Sequence, residues 1–95
     1  MNLEFETISR QNGNLTRHAH NRACQRSIPQ AAIDLLIDFG APSSAGGGAQ
    51  KYAFSKRTWR AAAAYLGPIS RYYDRYRAVY VIVADGKVVT AAWTY

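Results

Sequence analysis

The chain has 95 residues, 48% of them hydrophobic and 19% charged, with a formal net charge of +6. That length suits one domain with one modest core, and no apolar run approaches the roughly 18–20 residues that a membrane-spanning helix needs. The start, Met1-Asn2-Leu3-Glu4-Phe5-Glu6, lacks the basic opening and apolar stretch of a secretory signal, and a single cysteine, Cys24, excludes an internal disulfide, so a cytoplasmic location is the expectation.

In chain order, Leu3 to Ile8 reads as a short strand, broken by Asn12-Gly13-Asn14. Thr16 is placed to cap a helix over 17–26. Ser27 as cap and Pro29 at an early position open a second helix. Its apolar stripe is Ala32, Ile33, Leu36 and Ile37, with Asp34 and Asp38 on the outer side, and Gly40 and Pro42 end it. Residues 43–49 read as a flexible Gly-rich loop. No Gly-Lys-Ser/Thr follows the three glycines, so it is a connector and not a phosphate-binding loop.

Lys51 to Phe54 reads as a strand, and Ser55 caps a third helix over 56–66 with Trp59, Ala62, Ala63 and Leu66 facing inward. Gly67-Pro68 ends that helix. Ile69 to Tyr76 reads as a further helical turn or two, with Tyr65, Tyr72, Tyr73 and Tyr76 mostly in core or half-buried packing. The last element is a β-hairpin, Ala78 to Ala84 and Lys87 to Thr94, joined by the two-residue turn Asp85-Gly86. The expected fold is a single α+β domain over 1–95. Its N-terminal helices pack on a small antiparallel sheet that ends in the C-terminal hairpin.

Charge is unevenly spread. Residues 1–48 balance Arg10, Arg17, Arg22 and Arg26 against Glu4, Glu6, Asp34 and Asp38. Residues 49–95 carry Lys51, Lys56, Arg57, Arg60, Arg71, Arg75, Arg77 and Lys87 against only Asp74 and Asp85, in the half that also holds most of the rings. Cations beside flat aromatic groups suit nucleic acid, because phosphates attract the first and bases stack on the second. Arg26, Lys51, Arg57, Arg60, Tyr80, Lys87 and Trp93 are the residues expected to bind it.

A two-residue turn without irregularity pairs Ala84 with Lys87, Ile82 with Val89, Tyr80 with Ala91 and Ala78 with Trp93. Tyr80, Trp93, Tyr95 and Lys87 then share one side of the sheet, open to a ligand. Val79, Val81, Val83, Val88 and Thr90 take the side under the helices, which makes Thr90 structural. A bulge near the turn would exchange the faces.

Residues 17–26 read R-H-A-H-N-R-A-C-Q-R. On a helix, His18, Arg22 and Arg26 form one stripe at i, i+4 and i+8, whereas His20 and Cys24 point to the far side. The two histidines are therefore not a metal pair, and no metal or other cofactor is expected.

Arg17-His18-Ala19-x-x-Arg22-x-x-x-Arg26-x-Ile28 resembles the opening helix of a small bacterial domain family of unknown function. That family has an R-H-A-x-x-R-x-x-x-R-x-I signature, an acidic-apolar second helix and a closing V-V-T strand. The later parts look like Ala31-Ala32-Ile33-Asp34-Leu35-Leu36 and Val88-Val89-Thr90, while the middle of the chain, from Gly46 to Tyr76, carries no such likeness. The family is similar to the barnase/EndoU/colicin/RelE (BECR) group of metal-independent RNase folds, which includes toxins of toxin–antitoxin modules. The resemblance implies a toxin-type ribonuclease. A base takes the 2′-OH proton, a cation steadies the crowded phosphate and an acid protonates the leaving 5′-oxygen. His18 suits the acid or base, Arg22 the phosphate, and Tyr95 a second acid or orienting group. The resemblance also nominates Thr90, against the face that regular pairing assigns to it.

The expected partners are RNA or another nucleic acid, and a cognate antitoxin or a host protein complex, with no membrane. Two other readings stay open. One is a non-catalytic phage or mobile-element protein that binds nucleic acid or a host nucleoprotein complex and inhibits it, which needs the cations and rings but not His18. The other is a structural protein whose aromatic face forms a dimer.

Overall fold

The computed structural model describes residues 15–94. The strand expected over residues 3–8, and Tyr95, lie outside the described residues.

Two helices come first, α1 (Arg17–Gln25) and α2 (Gln30–Phe39). Thr16 caps α1, its hydroxyl accepting the Ala19 N–H at 3.1 Å. The cap of α2 differs from expectation. Pro29, not Ser27, is the N-cap, and Ser27 takes a φ of 57° in the tight link between the helices. A proline at the boundary loses nothing, because the first helical N–H groups have no partner within the helix.

Two strands follow, β1 (Ala41–Gly46) and β2 (Ala49–Ala53), where a flexible loop over 43–49 was expected. They pair antiparallel, Pro42 opposite Tyr52 and Ser43 opposite Lys51, and the glycines form the tip, with positive φ at Gly46, Gly47 and Gly48. These are the backbone angles that glycine adopts without a Cβ penalty, so the run makes a turn between strands. Small polar residues carry little strand propensity of their own. Pairing with β2, itself paired with β3, holds β1 extended.

Helix α3 (Lys56–Leu66) starts on a capping box. Ser55 Oγ accepts the Thr58 N–H at 3.1 Å and Thr58 Oγ1 accepts the Ser55 N–H at 2.8 Å. A 3₁₀ turn (Gly67–Ile69), the short α4 (Ser70–Tyr73) and a second 3₁₀ turn (Asp74–Ala78) lead to β3 (Val79–Ala84) and β4 (Lys87–Trp93). Asp85 and Gly86 both have positive φ, 52° and 74°, the form of hairpin turn that Asp-Gly favours.

Among the described residues the sheet has four antiparallel strands in the order β1-β2-β3-β4. The fold is α+β, with α1 and α2 packed on one face of the sheet. Ala19, Ala23, Ala32, Ile33 and Leu36 meet Val79, Val81, Val88 and Ala91, all buried, and Leu15 and Ile28 close the ends of this core. Alanines at the contact let helix and sheet approach closely. A second, smaller cluster joins α3 to the outer side of α2 through Leu35, Trp59 and Ala62.

Regular alternation fails in the last hairpin. Ala84 faces Lys87 and Val83 faces Val88, but Ile82 then faces Thr90, so Val89 is an extra residue in β4. This β-bulge moves every later residue of β4 to the other face. Ala91 now sits opposite Val81 in the core, and Trp93 opposite Val79 on the helix side. Thr90 and Ala92 face the open side with Ile82 and Tyr80.

The two outer strands differ in how they end the sheet. Along β4 the Val88 carbonyl accepts the Thr16 N–H at 2.9 Å and the Ala91 carbonyl accepts Arg26 Nη1 at 2.9 Å. β1, at the opposite rim, includes Pro42, which has no N–H to offer a further strand. No helix among the described residues is long and apolar enough to cross a membrane.

Candidate nucleic-acid interface

The bonds from Thr16 to Val88 and from Arg26 to Ala91 lay α1 parallel along the free edge of β4. Ala19 and Ala23 enter the core, and the stripe of His18, Arg22 and Arg26 follows the flank that meets the strand edge. His18 is exposed and Arg22 half-buried, and Arg22 Nε donates to His18 Nε2 at 3.4 Å. The contact sets a cation one helical turn from the imidazole.

Arg26 does not join them as a free cation. Its Nη1 bonds the Ala91 carbonyl, and its own carbonyl accepts the Trp93 indole N–H at 2.9 Å. These opposed bonds clasp the end of α1 to β4. Of the residues expected to bind nucleic acid, Arg26 is thus one whose guanidinium is already engaged at a strand edge through Nη1.

The expected face of Trp93 is corrected. The bulge takes it from the open face to the helix side, where its ring lies 5.9 Å from Tyr76. The exposed Arg75 guanidinium stands 5.7 Å from the Trp93 ring and 5.4 Å from that of Tyr76. The sequence reading did not single out Arg75. Its position between two rings was visible only once Trp93 was known to turn inward.

The open face holds three of the other nominees, Lys51, Tyr80 and Lys87. Lys51 of β2 lies opposite Ile82, and its Nζ stands 4.5 Å over the Tyr80 ring. Lys87 is exposed at the start of β4, and Thr90 is half-buried beside Ile82. None of Lys51, Tyr80, Ile82, Lys87 or Thr90 belongs to either core cluster. Side-chain alternation from the buried positions adds Ala53, Ala84 and Ala92 to this face, so among the described strand residues its charged groups are the two lysines. The expectation that Thr90 lies on the side under the helices is thus also overturned. The bulge turns it outward, next to the edge that α1 flanks.

Arg57 and Arg60 are exposed on α3, which packs through Trp59 and Ala62 on α2 and belongs to the helical layer. The seven residues expected to bind nucleic acid therefore divide. Lys51, Tyr80 and Lys87 lie on the open sheet face, Arg57 and Arg60 on α3, and Arg26 and Trp93 in the clasp.

On the far flank of α1, His20 Nε2 lies 3.7 Å from Cys24 Sγ, separate from His18. Among the described residues no group of three or more His, Cys, Asp or Glu side chains comes together as a metal site. Comparison with protein-family models, with curated protein sequences and with solved structures finds no match for this chain.

Proposed function

We propose that the protein is a small RNA-directed enzyme, a metal-independent ribonuclease of toxin type, whose chemical wall is the flank of α1. The observation that carries this reading is the Arg22–His18 hydrogen bond on the exposed side of α1. It supports a base and a phosphate-binding cation acting on one substrate group. An incoming phosphate draws the Arg22 guanidinium, which offers paired donors, and this leaves the Nε2 lone pair of His18 free. Nε2 then takes the proton of an RNA 2′-hydroxyl as its oxygen attacks phosphorus. The bond from phosphorus to the 5′-oxygen breaks, that oxygen takes a proton from a second acid, and a 2′,3′-cyclic phosphate remains. Tyr95 is the residue expected from the sequence to be that acid.

Thr90, turned outward beside this edge, is a further group to orient the phosphate. Lys51, Tyr80 and Lys87 extend the surface across the open face, where a base can stack on Tyr80 and the lysines can meet flanking phosphates. Positive charge and a ring on a sheet face that belongs to neither core cluster of the described residues also favour the second reading, a non-catalytic nucleic-acid binder.

Purified protein incubated with single-stranded RNA in the presence of a chelator separates the two. The proposal expects cleavage with cyclic-phosphate ends, lost in His18→Ala and reduced about 100-fold or more in Arg22→Ala, with unchanged thermal unfolding for the exposed His18 variant. Intact RNA that is nevertheless retained by the protein, equally by wild type and His18→Ala, replaces the enzyme reading with the binder.

A further inference from the structure

On the other side of α2 the surface changes character. Asp34 and Asp38, one helical turn apart, line a groove of about 200 Å³ whose remaining walls are Leu35, Tyr65, Leu66 and Tyr73, with Ala31 at its edge. Asp34 accepts a hydrogen bond from the Gln30 amide at 3.0 Å. Among the described residues neither carboxylate pairs with a cation, and the sole ion pair there is Arg77 with Asp74. The chain has 12 Lys and Arg against 6 Asp and Glu, so two adjacent carboxylates with no cation beside them among the described residues stand out from its balance.

The large apolar side chains that stay exposed among the described residues are also here. Tyr65 and Tyr72 are each 74% exposed and Ile69 is 50% exposed, all at the corner where α3 turns into α4. Tyr65 rests on Phe39 at a ring separation of 5.3 Å, so the ring is held up at the surface with its outer side bare. The expectation that these tyrosines are mostly core or half-buried holds for Tyr73 and Tyr76 and fails for Tyr65 and Tyr72.

We propose that this groove docks a basic, aliphatic-bearing segment of a partner protein. Charge complementarity selects the occupant. An arginine or lysine head placed between Asp34 and Asp38 gains two carboxylates and the faces of Tyr65 and Tyr73, while its methylene stem lies along Leu35 and Leu66. A neighbouring apolar side chain of the same segment covers Ile69 and Tyr72. Nucleic acid is the wrong occupant, because phosphates would meet the two aspartates. The groove lies on the helical layer, away from the open sheet face, so RNA and this partner need not compete.

The test uses the full chain and a fluorescein-labelled amphipathic peptide of arginine and leucine, its arginines four residues apart, read by fluorescence anisotropy. A peptide with glutamine in place of arginine is the control. Wild type is expected to bind the arginine peptide about tenfold or more tightly than the control. The double variant Asp34→Asn/Asp38→Asn and the single variant Tyr65→Ser are expected to lose that preference while melting like wild type. Retention of an RNA oligonucleotide by the Asn variant, measured in parallel, is expected to stay unchanged, which keeps this result separate from the ribonuclease reading. Absence of peptide binding, equal binding of the two peptides, or undiminished binding by the double variant overturns the proposal. A concentration-dependent dimer that the double variant dissolves assigns the groove to a second copy of the chain and overturns it equally.

Discussion

Replacing Arg26 by alanine distinguishes a clasp from a nucleic-acid ligand. The substitution removes the Nη1 bond to Ala91, a charge-assisted bond to a partly buried carbonyl, and leaves the Trp93 indole bonded to the backbone of residue 26. Such bonds contribute about 1.5–3 kcal/mol when fully sheltered. The residue is exposed, so water reaches the orphaned carbonyl and the expected loss is smaller, about 1–1.5 kcal/mol. In a domain of this size that lowers the melting temperature by about 5–10 °C. Urea unfolding followed by circular dichroism is expected to show a lower midpoint with an unchanged slope, since the surface exposed on unfolding is nearly the same. Binding of single-stranded RNA by the folded variant, titrated against salt, is expected to keep its salt dependence, whereas Lys51→Ala or Lys87→Ala flattens it. An unchanged midpoint for Arg26→Ala, together with a salt slope reduced by about 0.7, the increment for one phosphate contact on a single strand, would refute the reasoning and return Arg26 to the interface.

Trp93→Phe keeps the ring against Tyr76 but removes the indole donor to the Arg26 carbonyl, and thermal melting is expected to show a loss of about 0.5–1.5 kcal/mol. Combined with Arg26→Ala in a double-mutant cycle, the two changes are expected to be non-additive, because both act on one junction. Ser55→Ala disrupts the capping box of α3 and is expected to lower stability by about 1 kcal/mol in urea unfolding without altering RNA binding. Deletion of Val89 removes the extra residue and lets Val88 and Thr90 pair in regular succession with Val83 and Ile82, so Ala91 stays opposite Val81 in the core and Trp93 stays opposite Val79. The expected outcome is a variant that still melts cooperatively, and loss of cooperative melting would show that register is held by the bulge itself and not by side-chain burial.

The parts legible in the sequence were those governed by local chemistry. The Asp85-Gly86 turn, the caps at Thr16 and Ser55 and the stripe on α1 depend on residues within one or two turns of one another, and each stands where the sequence places it. The bulge was not legible. Val88-Val89-Thr90 is a run of β-branched residues that suits a strand in either register, and only burial of Ala91 against Val81 chooses between them. That single slip misplaced both Trp93 and Thr90. The strand β1 was hidden for another reason, since Ser43, Ser44 and the glycines resemble a loop until a neighbour pairs with them. The stripe of His18, Arg22 and Arg26 followed from the helical period, but the occupation of Arg26 by a residue 65 positions away is a tertiary fact. The groove beside α2 had a visible half, Asp34 and Asp38 at a four-residue interval. Its other half required knowing that Tyr65 stays outside.

The two rims of the sheet also decide how this molecule can meet others. Strand-on-strand growth, the usual route from a small sheet to fibres, starts from a row of free N–H and C=O groups. Here one rim is already engaged by α1, and the other ends in a proline on a short strand. Association is thereby steered away from backbone templating and toward side-chain recognition on faces. A protein that must stay dispersed while offering both a cationic sheet and an acidic groove gains from such steering, because encounters at either surface leave its own sheet unextended.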